Sequence, residues 1–88
     1  MNDALADAEA TELGLREQIS DLVHARARAD AEATRLAERG ALPGAHEELS
    51  EIAGRYARQS EVLAEEIDTL RTSLRAAEAE LERLRAPD

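Results

Sequence analysis

Apolar residues recur along this chain in two long runs whose spacing alternates between three and four, with a short stretch rich in Gly and Pro between them. The second run reads Leu49, Ala53, Tyr56, Ser60, Leu63, Ile67, Leu70, Leu74, Ala77, Leu81 and Leu84. That period keeps one stripe of an α-helix turned toward a partner helix, the pattern of a coiled-coil seam. The first run is thinner: Leu5, Ala8, Glu12, Leu15, Ile19, Leu22, Arg26, Ala29, Ala33 and Leu36, with Glu12 and Arg26 where apolar residues belong. Between the runs lies Gly40-Ala41-Leu42-Pro43-Gly44. Gly suits the left-handed position just after a helix, and Pro is tolerated in the first turn of a new one. The pattern therefore predicts helix 1 over about residues 3–39, a turn over 40–44 and helix 2 over about 45–86, which Pro87 ends. Glu47 and Glu48 at the start of helix 2, and Arg83 and Arg85 at its end, complement the helix dipole. The expected fold is all-α, an antiparallel two-helix coiled-coil hairpin forming one domain over 1–88. At about 1.5 Å per residue each arm is roughly 55–65 Å long.

Facing the two seams across the turn sets an expected register. It places Ala33 opposite Leu49, Ala29 opposite Ala53, Arg26 opposite Tyr56, Ile19 opposite Leu63, Leu15 opposite Ile67, Ala8 opposite Leu74 and Leu5 opposite Ala77. The candidate interaction residues are those of the seam: Leu15, Ile19, Leu22, Arg26 and Leu36 on one arm, and Leu49, Tyr56, Leu63, Ile67, Leu70, Leu74 and Leu81 on the other. Polar seam residues set register at a cost in stability. Arg26 reads as such a device stacked on Tyr56, as a side chain snorkelling to solvent, or as a ligand contact. Gly14 and Gly54 lie off the seam, each costing about 1 kcal/mol relative to Ala. They read as surface glycines or as close-contact points for another helix.

Size and composition bear on what such a hairpin can do alone. A chain of 88 residues buries only a modest share of its surface, and Tyr56 is its sole aromatic residue. Large aliphatics contribute about 1.5 to 3 kcal/mol each when buried, so one seam roughly offsets the entropy of ordering. Pairing of hairpins into a four-helix bundle is therefore expected, with Leu13, Val23, Ile52 and Val62 off the seam pointing the same way. The net charge of -9 and pI near 4.6 argue against nucleic acid, whose phosphates need clustered cations. Every permanent side-chain cation is Arg, and the absence of Cys excludes disulfides and thiolate metal sites. No apolar run approaches the roughly 20 residues of a membrane span, and Met1-Asn2-Asp3 is acidic where a signal peptide is basic. A cytoplasmic location, with no membrane partner, is the expectation.

Catalytic and metal patterns fail on inspection. His46-Glu47-Glu48-Leu49-Ser50 begins like a zinc-protease helix but has Ser where the second His must lie. Asp21 and His24 have the spacing of half a di-metal carboxylate site and lack the second copy. Glu61, Glu65, Glu66 and Asp68 read as a solvated helix face, and Gly40 to Gly44 lacks the Lys and Ser/Thr of a phosphate loop. No catalytic residue, cofactor or metal is expected.

Four stretches resemble known families. Residues 36–85, with Leu42-Pro43 at the turn and Leu70, Leu74 and Leu81 after it, resemble the coiled-coil half of small bacterial coiled-coil/zinc-ribbon proteins, without the Cys of the ribbon. The turn is similar to the amino-terminal hairpin of Gre-family transcript-cleavage factors, with Ala41 and Gly44 at their acidic tip positions. Leu42-Pro43-Gly44 is similar in placement to the Trp-x-Gly turn of small type VII secretion substrates, which implies a secreted hairpin pairing with a partner. Leu15-Arg16-Glu17-Gln18-Ile19-Ser20 looks like the opening of helical chorismate mutases, a resemblance that implies a substrate-carboxylate contact for Arg16. The reading that covers most of the chain is a non-enzymatic interaction or scaffold module that associates with itself, as a homodimer, or with another helical protein.

Overall fold

The two predicted helices form and fold back on one another. In the computed structural model, which describes residues 3–86, α1 runs Asp3–Gly40 and α2 runs Glu47–Arg85. The hairpin is a rod of 70 × 15 × 13 Å with a radius of gyration of 19.7 Å. A compact chain of this length has a radius of about 12 Å. The rod is thus one helix pair thick, and every buried side chain lies between the same two helices.

The helix ends follow the charges, and the turn differs in detail from expectation. Asp3 opens α1 and Arg39 lies in its last turn, while Glu47 and Glu48 open α2 and Arg83 and Arg85 close it. Gly40 is the last residue of α1, not the first of the turn, and α2 begins at Glu47, two residues later than the pattern predicts. The Ala41 N–H donates to the Ala37 carbonyl at 3.1 Å and the Leu42 N–H to the Arg39 carbonyl at 3.2 Å, tightening the end of the helix. Leu42-Pro43-Gly44-Ala45 then reverses the chain, the Ala45 N–H donating to the Leu42 carbonyl at 3.1 Å. Pro in the second place and Gly44 in the third at φ +82° is the type II turn arrangement. The left-handed glycine is therefore Gly44 inside the turn, since Gly40 stays helical. His46 is the extended N-cap of α2 and offers no side-chain bond to it. Ala86 is extended at φ -67° and ψ 134°, as the residue before a proline prefers, while Pro87 lies outside the described residues.

Ile67 and Leu81 are nearly sealed from solvent, and Ala29, Leu36, Ala53 and Ser60 are also buried. The remaining seam positions of both helices are half-buried, apart from Arg26, which is exposed.

The register is displaced by one heptad from the expected one. A Cβ placed on Gly40 lies 2.9 Å from Ser50 Oγ, 3.4 Å from Ser50 N and 3.5 Å from Leu49 Cβ, so the last seam position of α1 sits directly against Leu49. Stepping away from that contact by heptads puts Ala33 beside Tyr56, Arg26 beside Leu63, Ile19 beside Leu70 and Glu12 beside Ala77. The alternate layers pair Leu36 with Ala53, Ala29 with Ser60, Leu22 with Ile67, Leu15 with Leu74 and Ala8 with Leu81. Contacts between the arms agree: the Ser60 hydroxyl donates to Asp30, Arg16 Nη2 reaches Glu78 Oε2 at 3.2 Å, and Arg85 Nη2 lies 3.9 Å from Glu9 Oε1. Helical side chains lean toward their own N-terminus, so in an antiparallel pair such flanking partners meet from slightly beyond the layer they bracket. The expected register ended the seam of α1 at Leu36 and gave Gly40 to the turn. A glycine at a seam position instead makes one more layer, in which the arms come too close for a larger side chain to fit without displacing Ser50.

Two measurements check this register. In a Ser50→Ala background, the pair Gly40→Cys and Leu49→Cys should form an intramolecular disulfide on mild oxidation, because their Cβ separation of 3.5 Å suits one. Ala33→Cys with Leu49→Cys should stay reduced, and the reverse result would restore the displaced register. Gly40→Val should destabilise the hairpin by about 1 to 3 kcal/mol through overpacking. Gly14→Ala should stabilise it by about 1 kcal/mol in the same denaturation series, since nothing lies within 4 Å of a Cβ there.

Candidate interaction surface

The seam proposed from sequence is consumed inside the hairpin. Leu15, Ile19, Leu22, Leu36, Leu49, Tyr56, Leu63, Ile67, Leu70, Leu74 and Leu81 are all buried or half-buried between α1 and α2. These side chains hold the two arms together and present little to anything else. Any surface for a partner must therefore be built from the positions that flank the seam.

Arg26 is the seam residue that departs from expectation. Its side chain is about half exposed and Nε lies 4.0 Å from Asp30 Oδ2 on its own helix. Tyr56 lies instead in a shallow groove with Ala25, Arg28, Ala29, Glu32 and Gln59. The displacement by one heptad sets Leu63 across from Arg26. A guanidinium facing an aliphatic layer gains nothing by staying, so the stem covers the seam and the charge leaves for water. The Arg26–Tyr56 stacking expected from sequence is not formed. Glu12, the other charged seam residue, holds its carboxylate 3.4 Å from Arg16 Nε at the edge of the seam. A double-mutant cycle on Arg26→Leu and Tyr56→Leu should give a coupling energy within about 0.5 kcal/mol of zero, the additivity of sites without shared partners. Arg26→Leu alone should stabilise the hairpin.

The flanks are charged in a patterned way. The Arg35 guanidinium hydrogen-bonds Glu32 and holds its carboxyl below the usual carboxylate range, its charge adding to the effect against the opposing cost of burial. Arg83 does the same to Glu80 through a bond of 2.9 Å from Nε. Each arginine is raised in turn, first by the hydrogen bond to its carboxylate. These pairs are solvent-exposed and contribute little to stability; what they do contribute is present at neutral pH and lost as pH falls through the depressed carboxyl pKa. Their consequence is that Glu32 and Arg35 neutralise one another.

Beside this lie two different outer faces. One presents a groove lined by Gln18, Asp21, Leu22, Val62, Glu65, Glu66, Thr69 and Leu70, an aliphatic floor with an acidic rim. The Thr69 hydroxyl is engaged by the Glu65 carbonyl of its own helix at 3.1 Å. The other face, near the turn, is a groove of small uncharged residues that includes Thr34, Ala37, Ala41, Ser50, Gly54 and Ala57. Neither was evident from the seam pattern. The one signal for the first was Val62, an aliphatic residue off the seam.

Arg16 is held between Glu12 and Glu78, and His24 Nδ1 donates to the Ser20 carbonyl at 2.7 Å. No cluster of three or more potential metal ligands occurs among the described residues, and no described helix is long and apolar enough to cross a membrane. Comparison of the chain with protein-family models, with curated proteins and with solved structures finds no match.

Proposed function

We propose that this chain is a non-enzymatic interaction module of the cytoplasm that acts by helix–helix association, first with a second copy of itself. The observation that carries the reading is the thinness of the core. Among the described residues only Ala29, Leu36, Ala53, Ser60, Ile67 and Leu81 are buried, and one of these six is polar. Leu13, Val23 and Val62 meanwhile stand exposed on the helices, at 58%, 40% and 54%. A single seam of this kind leaves little margin over the entropy of ordering long arms, and a second hairpin supplies the missing layer. Pairing with a different helical protein uses the same physics and is the alternative partner. Its acidity disfavours nucleic acid as a third.

Sedimentation equilibrium at high micromolar concentration tests the proposal. The expected mass is twice the 9.6 kDa of one chain. A folded, cooperatively unfolding monomer at that concentration would overturn it.

A further inference from the structure

One outer face of the rod carries its own complement. On α1 it presents Asp21, Ala25 and Arg28, the two charged residues one heptad apart and therefore separated by about 10 Å along the axis. Beside them α2 presents Val62, more than half exposed, and Glu66. Two shallow grooves adjoin here. One holds Asp21 and Glu66 around Leu22, Val62 and Leu70; the next holds Arg28 beside Ala25 and Tyr56. Glu32 lies in the second groove but is bound to Arg35. Among the described residues, Asp21, Glu66 and Arg28 take part in no ion pair.

We propose that this face is the docking surface for a second copy of the chain, laid antiparallel across it on a two-fold axis that crosses the rod at Ala25. The inference rests on the self-association reading and specifies its geometry. An isologous interface requires that whatever sits on one side of the axis find its complement on the other. About Ala25 that condition holds: the rotation sets Arg28 of each copy over the partner's Asp21, twice, with Glu66 reinforcing the acidic side. Ala25 on the axis allows close approach of the two α1 helices, and the same rotation lays the exposed Val62 of each copy along the aliphatic stem of the partner's Glu66. A foreign basic helix would use only the acidic groove, whereas a second copy also uses Arg28 beside it. Ala25 also lies near the middle of α1, so the antiparallel rods end almost flush and use nearly their full length. A face of 70 × 15 Å offers roughly 1,000 Å² per copy, more than the roughly 800 Å² per partner of a stable complex. The two charge pairs also offset repulsion between chains of net charge -9.

The test is a charge swap read by sedimentation velocity. Asp21→Arg alone and Arg28→Asp alone each set like charges against one another at both symmetric sites, and each should weaken dimerisation at least tenfold. An equimolar mixture of the two variants should recover the wild-type dimer fraction, because in the mixed dimer both sites are again oppositely charged. Such rescue excludes misfolding as the cause of the single effects, and far-ultraviolet circular dichroism confirms helix content in each. Ala57→Glu, in the uncharged groove near the turn on the opposite face, should leave the dimer unchanged. A dimeric wild type whose single variants dimerise normally, whose mixture shows no recovery, or whose Ala57→Glu variant alone dissociates, overturns this face. A monomeric wild type overturns the self-association reading itself.

Discussion

The close approach of Gly40 to Leu49 and Ser50, which leaves no room for a side chain, is the constraint that sets every other pairing in the rod. A heptad pattern is degenerate: sliding one arm past the other by seven residues returns apolar to apolar at almost every layer. Something that does not repeat must choose among the alternatives. Here it is a seam position without a side chain, followed at once by a type II turn that fixes how soon the chain can re-enter a helix. Once that end is closed, Leu22 meets Ile67 and Leu15 meets Leu74. The Ser60–Asp30 bond and the Arg16–Glu78 pair fall into reach as consequences.

Much of the architecture was legible in residue order because it depends on local periodicity. The three-four spacing from Leu49 to Leu84 specifies a helix stripe, and Gly and Pro between the runs specify a reversal, so two helices and a hairpin follow with end points correct to within about two residues. Register was not legible in the same way. It turns on whether Gly40 belongs to the helix or the turn, and a glycine is acceptable in both. The error then propagated to Arg26 and Tyr56, whose apparent pairing was an artefact of sliding by one heptad. The outer faces were harder still. Their residues, isolated aliphatics such as Val62 among polar and small ones, carry no periodic apolar signal, and only the folded arrangement brings Asp21 and Arg28 of α1 together with Val62 and Glu66 of α2.

The division of labour between seam and flank connects this fold to its proposed role. The seam aliphatics are used up in holding α1 to α2, and the exposed ion pairs Glu32–Arg35 and Glu80–Arg83 add little. Burial of a second face is then the principal source of further stability. In the proposed dimer, the charge pattern of those outer residues would make association selective as well as stabilising. On this proposal, folding and association are coupled properties of one chain.

That coupling is the central claim, and the dependence of thermal unfolding on protein concentration measures it directly. Anything that binds the folded hairpin and not the unfolded chain raises its unfolding midpoint by mass action, and in the proposed dimer the binding species is the chain itself. Followed by circular dichroism from about 1 to about 300 µM, the midpoint should rise steadily by several degrees, the change expected for a small domain gaining about 1 kcal/mol or more. A midpoint that stays constant across that range, with a cooperative transition throughout, would contradict the account and establish the single seam as sufficient.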